Sequence, residues 1–413
     1  MRVEDKQVVN VVCPSNKVKN MDLRFSPEEE YFRREVQDFL AKELPRDWEG
    51  YYLGEANSDE EWAFSRSITK KLANRGWLVI GWPEVWGGLN DPMKRLILME
   101  EMFLHEVPGF DIVGVTMFGP ILIEHGSDAQ KQQHLPGIAH GEVVWCQGFS
   151  EPEAGSDLAS LRTTCTDKGD HWVINGQKLW TSNSNRADWI FLLARTNPNL
   201  PKHRGISLIM VDMKTPGITI RPLVTMGERT PFCEVFLDNV SVPKDNLVGE
   251  INKGWNIATD TLGFERSSIH RMGSALSCLN RLICYVREKG NGKRPSGREQ
   301  LVWNKLAELS IEAEIGRLFA YRVASMQKKG LSAGYLTSTS RLFGAELQQH
   351  VAQVGMGILG LYGQLEPGSK RSVLGGKITL EYLVSIAATI AAGTSEMQRN
   401  IIATRGLGMI ETR

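Results

Sequence analysis

The chain has 413 residues, with 48 Lys and Arg balanced by 48 Asp and Glu, so its formal net charge is zero. A composition of 42% hydrophobic and 23% charged residues is typical of a globular protein, and the length suggests two or three domains or one composite unit. Balanced charge creates no overall field for nucleic acid or an anionic membrane, so we expect neither as a partner.

The first twenty residues, MRVEDKQVVNVVCPSNKVKN, are interpreted as an N-terminal extension. They lack the apolar core of a signal peptide and the Arg-rich, acid-poor character of an organelle presequence. Nowhere does an apolar run approach the roughly twenty residues of a membrane span. Six scattered cysteines without a C-x-x-C pair favour reduced thiols over disulfides or a zinc site. These features predict a cytoplasmic protein without a metal site.

Residues 21–143 are predicted to form an N-terminal helical domain. The sequence Ser26-Pro27-Glu28-Glu29 has the pattern of a capping box with proline at the first helical position, and apolar residues then recur at helical spacing. Segments 63–73 and 93–104 repeat that spacing, which favours a helix bundle.

Between residues 144 and 250 the hydrophobic period changes to two, which predicts a β-domain. Asn175-Gly176 is the strongest hairpin signal, so we expect a turn between strands 171–174 and 177–180. Further strands are expected at 189–194, 206–211, 218–222 and 234–237. The predicted fold class is mainly α, with a small β-barrel or sandwich inserted between two helical halves.

From residue 251 to 413 the pattern returns to helical and predicts a C-terminal bundle. Segment 301–326 is a long amphipathic run whose charged residues argue against a membrane span. Residues 289–298, KGNGKRPSGR, have the composition of a loop. The glycine-rich stretch 354–363 is open to two interpretations, a helix-loop turn or a pyrophosphate-binding backbone.

The most informative stretch is the loop from Ser150 to Asp157 together with the segment that ends at Trp180. The loop offers hydroxyls and backbone N–H groups, which can bond an anion or the carbonyl edge of a flat ring. Trp180 could then cover one ring face. The same residues are also compatible with an ordinary turn beside a buried core Trp.

The motifs FSEPEAGSD and INGQKLWTSN resemble the flavin-contact signature of the acyl-CoA dehydrogenase superfamily. The similarity runs from residue 26 to 408 and includes WPEVWGG, EVFLDNVSVPKDNLVGEINKGW and GTSEMQRNIIATRGLG in the family's order. The resemblance implies a helical, β, helical architecture with FAD between the β-domain and the C-terminal helices. It also implies an acyl-CoA substrate, an electron-transfer flavoprotein as electron acceptor, and a homo- or hetero-oligomer, usually a tetramer.

The implied reaction is α,β-dehydrogenation of an acyl-CoA thioester to the 2-enoyl-CoA, with FAD accepting the β-hydrogen as hydride at N5. The α-proton is weakly acidic. The site therefore needs hydrogen bonds to the thioester oxygen and a carboxylate whose pKa is raised by a dry environment.

The base is the main departure from the family pattern. Many members have a glutamate directly before the C-terminal Gly-Thr, where this chain has Ala392. A second location in the superfamily lies on the first long helix after the β-domain, and here it holds Glu265 followed by Arg266. We therefore predict Glu265 as the catalytic base and Arg266 as a substrate-orienting residue. The alternative is that both are surface charges that pair with each other.

The remaining site residues follow from the resemblance, position by position. Ser150 takes the place of the residue at the flavin's pyrimidine edge, and Ser156 a place shared between FAD and CoA. Trp180 matches the indole on the flavin face and Ser182 the hydroxyl near N5. The other predicted FAD contacts are Gln147, Phe149, Thr394 and Glu396. The arm that usually reaches a neighbour's FAD is altered, with Lys289 and Gly292 where Arg and Phe are usual.

Two further functions remain open from the sequence. One is a catalytically silent subunit that completes the FAD site of an active partner, for which Ala392 would be the diagnostic loss. The other is a flavin oxidase or monooxygenase of the same fold. The branch that lacks the C-terminal glutamate resembles bacterial dehydrogenases of bulky or alicyclic acyl-CoAs, some of them mixed heterotetramers.

Overall fold

The computed structural model describes residues 25–51, 58–264, 268–290 and 297–409. Its first part is helical, and the capping box predicted at Ser26 is confirmed: Ser26 Oγ accepts from the Glu29 amide, and the Glu29 carboxylate accepts from the Ser26 amide. The N-terminal helices are α1 (Pro27–Glu43), α2 (Asp59–Asn74), α3 (Pro92–Leu104), α4 (Gly119–His125) and α5 (Asp128–Ala139).

A π-helical segment, Ile112–Phe118, precedes α4 and is capped by Asp111, which is half-buried. The Asp111 carboxylate accepts from the Gly114 amide at 2.9 Å. Burial raises the pKa of Asp111 to about 6, although the amides of Gly114 and Val113 and the charge of Arg66 oppose the rise.

The middle of the chain forms one hydrogen-bonded sheet of eight strands. The path runs β6-β7-β3-β2-β4-β5-β8, and β1 pairs in parallel with β4. The strands are β1 (Trp145–Gly148), β2 (Thr164–Asp167), β3 (His171–Ser182), β4 (Trp189–Arg195), β5 (Ile206–Asp212), β6 (Ile218–Leu223), β7 (Phe232–Pro243) and β8 (Leu247–Val248).

The hairpin expected at Asn175-Gly176 is wrong, because β3 continues through these two residues as a single strand. The register against β7 shifts between Ile174 and Gly176, so the dipeptide sits at a bulge rather than a turn. Gly176 has φ +152°, and a Cβ there would lie 2.4 Å from Thr163 Oγ1. Glycine is thus required by a close approach of the chain entering β2.

Both faces of the central strands are buried, which fixes the β-domain between the helical halves. In β4, Phe191 and Leu193 pack into the large core shared with the helices, whereas Ile190 and Leu192 pack into a second core inside the β-domain. Phe118 stacks on Phe191 with ring centroids 4.8 Å apart. The strand therefore reads as a continuous apolar run rather than an alternating one.

The last part of the chain is again helical, which confirms the predicted helical, β, helical fold class. Its helices are α6 (Gly254–Phe264), α7 (Ile269–Lys289), α8 (Arg298–Lys328), α9 (Tyr335–Leu359), α10 (Lys377–Ala388) and α11 (Ser395–Ile401). The glycine-rich stretch 354–363 forms the end of α9 and a following 3-10 turn.

A buried charge cluster joins the first and last parts of the chain. Glu100 on α3 is 1% exposed and accepts from Arg33 of α1 at 2.7 Å, Arg317 of α8 at 2.6 Å and the Tyr321 hydroxyl at 2.7 Å. Arg33 also pairs with Glu101. Burial alone would raise the pKa of Glu100, but the charges of Arg317 and Arg33 lower it, so the carboxylate is ionised.

Candidate functional site

The loop that follows β1 is held against β3 by hydrogen bonds. The Ser150 carbonyl accepts from the Leu179 amide at 2.9 Å, and the Phe149 carbonyl accepts from Lys178 Nζ at 3.3 Å. Glu151 and Ala154 exchange backbone hydrogen bonds at 3.0 and 3.1 Å, which closes the loop on itself. The structure thus brings the predicted Ser150 and the end of β3 together.

Trp180 lies on the surface because β3 carries a second bulge. Lys178 pairs with Val235 and Thr181 with Cys233, so three steps along β3 match two steps along β7. The extra residue breaks the in–out alternation: Lys178 and Thr181 are both fully buried, whereas Trp180 is 57% exposed with φ +59°. The reading of Trp180 as a buried core residue is therefore wrong.

Of the other contacts predicted in the β-domain, only Ser182 is linked to this indole, through its pairing partner Phe232. Gln147 is in β1, and its Nε2 is buried without a hydrogen-bond partner among the described residues. Ser182 ends β3 half-buried, and it pairs with Phe232, whose ring meets Trp180 edge-on at 5.9 Å. Phe149 is buried against Phe191 and is a core residue, whereas Ser156 is exposed in the loop.

The predicted C-terminal contacts lie on a sharp turn between α10 and α11. Ala392 has φ +54° and Gly393 has φ +87°, which is left-handed backbone that an alanine adopts only at a cost. Thr394 caps α11 by accepting from the Met397 amide, and Glu396 is exposed in the first turn. In the described part of the chain, neither residue is hydrogen-bonded to the 150–157 loop.

A buried arginine holds this turn. Arg341 on α9 is 5% exposed and donates to the Ala388 carbonyl at 2.9 Å and to the Ala391 carbonyl. Gln398 Nε2 donates to the Gly393 carbonyl at 3.3 Å. These bonds occupy carbonyls at the end of α10, where a helix leaves acceptors unsatisfied, and they fix the backbone around Ala392.

The β-domain touches α10 near the start of that helix, at the end opposite the turn. A Cβ at Gly227, in the loop between β6 and β7, would lie 2.7 Å from Leu380 Cδ1.

The predicted base Glu265 and its neighbour Arg266 lie outside the described residues. Directly after them, Ser268 is fully buried, and burial together with the charges of Arg271 and Arg341 holds the pKa of His270 well below its usual value.

These features fit a flavin ring. An exposed indole beside a loop of polar backbone offers an apolar face, and the buried Gln147 Nε2 offers a donor that lacks a protein partner among the described residues. A ring can be lined by Ser150, Trp180 and Ser182. A contact with Thr394 or Glu396 requires a ligand that extends as far as the start of α11.

Two residues that shape the site escaped sequence reasoning. Lys178 forms a fully buried ion pair with Glu151 at 2.7 Å beneath the loop, and Arg341 holds the turn at Ala392. For Lys178 a signal was present in the alternation of the strand. Lys178 lies an even number of residues after the buried Trp172 and Ile174, so the period of two predicts that it faces inward. For Arg341 there was none, because its acceptors lie 47 and 50 residues further along the chain.

A β-domain carrying such a ring-binding surface between two helical halves is the arrangement expected of a flavin-dependent oxidoreductase. Three family models then match in order: the N-terminal domain of acyl-CoA dehydrogenases over residues 26–142, the middle domain over 146–240 and the C-terminal domain over 252–407. The chain belongs to the acyl-CoA dehydrogenase family, and it is an FAD-dependent enzyme of that family.

Individual relatives agree. The acyl-CoA dehydrogenase IpdE1 of Mycobacterium tuberculosis is 33% identical over 92% of this chain and 97% of its own length. FadE34 of the same organism is 36% identical over 82% of this chain, which spans 45% of that longer protein. Among solved structures, the "Tcur3481-Tcur3483 steroid ACAD" has a TM-score of 0.86 at 32% identity, covering 95% of this chain and all of that one. The ChsE4-ChsE5 complex from M. tuberculosis has a TM-score of 0.83 at 30% identity, with the same coverage.

The described residues contain neither a membrane-spanning helix nor a cluster of metal ligands. No helix there combines the length and apolarity of a membrane span. No three His, Cys, Asp or Glu side chains in that part of the chain lie close enough together to hold a metal ion.

Proposed function

We propose that this enzyme dehydrogenates an acyl-CoA thioester with Glu265 as the acceptor of the α-proton. The observation that carries the proposal is the turn at Ala392, where a methyl group stands at the family's commonest position for the base. A carboxylate must then come from elsewhere in the chain, and Glu265 directly follows the end of α6.

Each part of the site has a task in this scheme. The Ala392 amide donates to the thioester oxygen as enolate-like charge develops, and Arg341 keeps that amide in place through the neighbouring carbonyls. Glu265 takes the α-proton, and Arg266 orients the acyl-CoA. Trp180 covers one face of the ring, while Gln147, Ser150 and Ser182 contact its polar edge. FAD, when bound, supplies the acceptor for the β-hydrogen.

We further propose a bulky, ring-containing acyl group as substrate. The support is the similarity to a structure whose printed name includes "steroid ACAD". An electron-transfer flavoprotein is the proposed electron acceptor.

Four described cysteines are buried and unpaired and a fifth, Cys284, is exposed and unpaired, which favours a reducing compartment such as the cytoplasm.

A second candidate function is a silent subunit that completes a partner's FAD site. Ala392 favours it, as does the likeness to the ChsE4-ChsE5 complex, which contains two kinds of chain. In this alternative Glu265 has no role in proton transfer, and the chain contributes Trp180 and the 150–157 loop to a shared site.

The test replaces Glu265 by Gln in the full-length protein. We expect the variant to retain FAD but to lose anaerobic bleaching at 450 nm by about a thousandfold or more in rate, because the general base is absent. The matched control is Glu250→Gln, an exposed glutamate that follows β8. Bleaching is measured with octanoyl-CoA and with the CoA thioester of a steroid side-chain acid. Full bleaching rates in the Glu265→Gln variant would rule out Glu265 as the base.

The same experiment separates the silent-subunit alternative. An active enzyme purified alone is yellow and bleaches with a thioester that it accepts. A chain that binds no flavin alone, yet forms a yellow complex with a second dehydrogenase chain whose activity survives Glu265→Gln, is a silent subunit.

A further inference from the structure

We propose that the buried Lys178–Glu151 ion pair is a positioning pair, which aims the backbone of the 150–157 loop at the polar edge of the flavin ring. Lys178 is fully buried, and the Glu151 side chain is 6% exposed, with Nζ and Oε1 2.7 Å apart. The inference rests on the proposed flavin site, and it assigns that site a pair of residues that do not touch the ring.

Glu151 ties three segments of the chain together. Its Oε2 accepts from the Arg162 amide at 2.6 Å, and its Oε1 accepts from the Thr163 amide at 3.0 Å as well as from Lys178. The carboxylate thus links the loop, the chain entering β2, and β3. Burial alone would raise the pKa of Glu151, but the charge of Lys178 and these hydrogen bonds lower it, so the group is an anion.

Lys178 supplies the second half of the arrangement by holding the start of the loop. Its Nζ donates to the Phe149 carbonyl at 3.3 Å, and the next residue, Leu179, donates its amide to the Ser150 carbonyl at 2.9 Å. In a trans peptide the N–H points opposite to the C=O. Drawing the Phe149 carbonyl towards Lys178 therefore directs the Ser150 N–H away from the buried ammonium.

The bulge in β3 couples this anchor to the aromatic cover. Lys178 points inward, and the additional residue in the bulge turns Trp180 outward two positions later. The ammonium beneath the loop and the indole above the site thus belong to one short stretch of strand. A change in the position of Lys178 would therefore displace both the start of the loop and the Trp180 indole.

Burial lowers the pKa of Lys178 to about 8, and the charge of Glu151 opposes the fall. A buried ion pair with such a desolvation cost adds little net stability, because apolar side chains of equal size often stabilise a protein as much. A geometric task gives the pair a reason that stability does not.

The test uses three variants of the full-length protein: Lys178→Met, Glu151→Gln and the double variant. Each single change leaves an uncompensated buried charge, so we expect both to lower the melting temperature of the flavin-free protein. The double variant has no unpaired charge and should recover much of the loss. FAD affinity is measured separately, by fluorescence titration of flavin-free protein.

A positioning role predicts that stability and affinity separate. In the double variant we expect the FAD dissociation constant to stay about tenfold above that of the wild type, with altered visible circular dichroism of the bound flavin, because the Phe149 carbonyl has lost its donor. A purely structural pair would instead regain affinity together with stability. Arg162→Met is the matched control: it removes an exposed side-chain pair with Glu153 at 2.7 Å but keeps the backbone amide that Glu151 accepts, so FAD affinity should be unchanged.

The possible failures are distinguishable. If the wild type binds FAD and the double variant binds it equally well, the positioning role is overturned while the dehydrogenase proposal stands. If the wild type binds no FAD at all, the proposed flavin site is overturned and this inference with it.

Discussion

The charge cluster around Glu100 gives the sharpest prediction about how the helical halves are held together. Replacing Glu100 by Gln keeps the volume of the side chain but removes its charge. Arg33 and Arg317 then face a neutral amide, and one carboxylate oxygen becomes an NH₂ group that cannot accept their hydrogen bonds.

The expected loss is large because the site is closed to water. Glu100 is 1% exposed and receives three charge-assisted or hydroxyl hydrogen bonds between 2.6 and 2.7 Å. Breaking one side of a buried ion pair costs about 3–5 kcal/mol in free energy of unfolding. We expect the lower end of that range, about 3 kcal/mol, because Arg33 keeps Glu101 and Arg317 keeps Glu314 as partners. Tyr321→Phe removes only the hydroxyl and leaves both guanidinium groups in place, so we expect about 1–2 kcal/mol.

The assay is urea unfolding of the flavin-free protein, followed by tryptophan fluorescence. Glu346→Gln is the matched control, since Glu346 accepts from Arg399 at 2.6 Å but the two side chains are 41% and 53% exposed. An exposed pair contributes about 0–1 kcal/mol. If Glu100→Gln and Glu346→Gln shift the unfolding midpoint by the same amount, the buried cluster contributes no more to stability than an exposed ion pair does.

Three more predictions address single groups. Asp111→Asn removes the acid whose pKa burial raises to about 6 from its ordinary 3.8. The wild type should lose about 2 kcal/mol relative to the variant as pH rises from 4 to 6.5, because the folded state holds its proton to a higher pH than the unfolded chain does. Urea unfolding at each pH measures this loss, and a difference that does not change with pH would contradict the raised pKa. Gly176→Ala forces a Cβ against Thr163 and should cost about 1–3 kcal/mol, whereas Gly155→Ala, with no neighbouring atom within 4 Å, should change melting little; equal effects would remove the close-approach argument. Trp180→Ala should raise the FAD dissociation constant about three- to tenfold by fluorescence titration with little change in flavin-free stability, because the indole is 57% exposed, and Trp180→Phe should restore most of the affinity.

Local signals in the sequence were read correctly because their causes are local. The capping box at Ser26 depends on residues three apart, and it is present in full. The long periodic run at 301–326 lies within α8, and the segment 189–194 lies within β4. In each of these cases the hydrogen bonds or the apolar pattern that define the element are carried by the element itself.

Features decided by distant residues could not be read in this way. The dipeptide Asn175-Gly176 favours a hairpin by itself, but the approach of Thr163 makes it a bulge within a strand. The exposure of Trp180 depends on the register against β7, which the sequence of β3 alone does not specify. The assignment of Glu265 as base remains a prediction, since it depends on the missing carboxylate at Ala392 and on the family resemblance.

The left-handed conformation of Ala392 has a consequence for how such enzymes diverge. A glutamate at that position would meet the same backbone penalty as the alanine does, so exchanging one for the other alters the chemistry without reshaping the turn. Members of the family with glutamate here and members with alanine can therefore share one turn and differ only in whether a carboxylate stands at it.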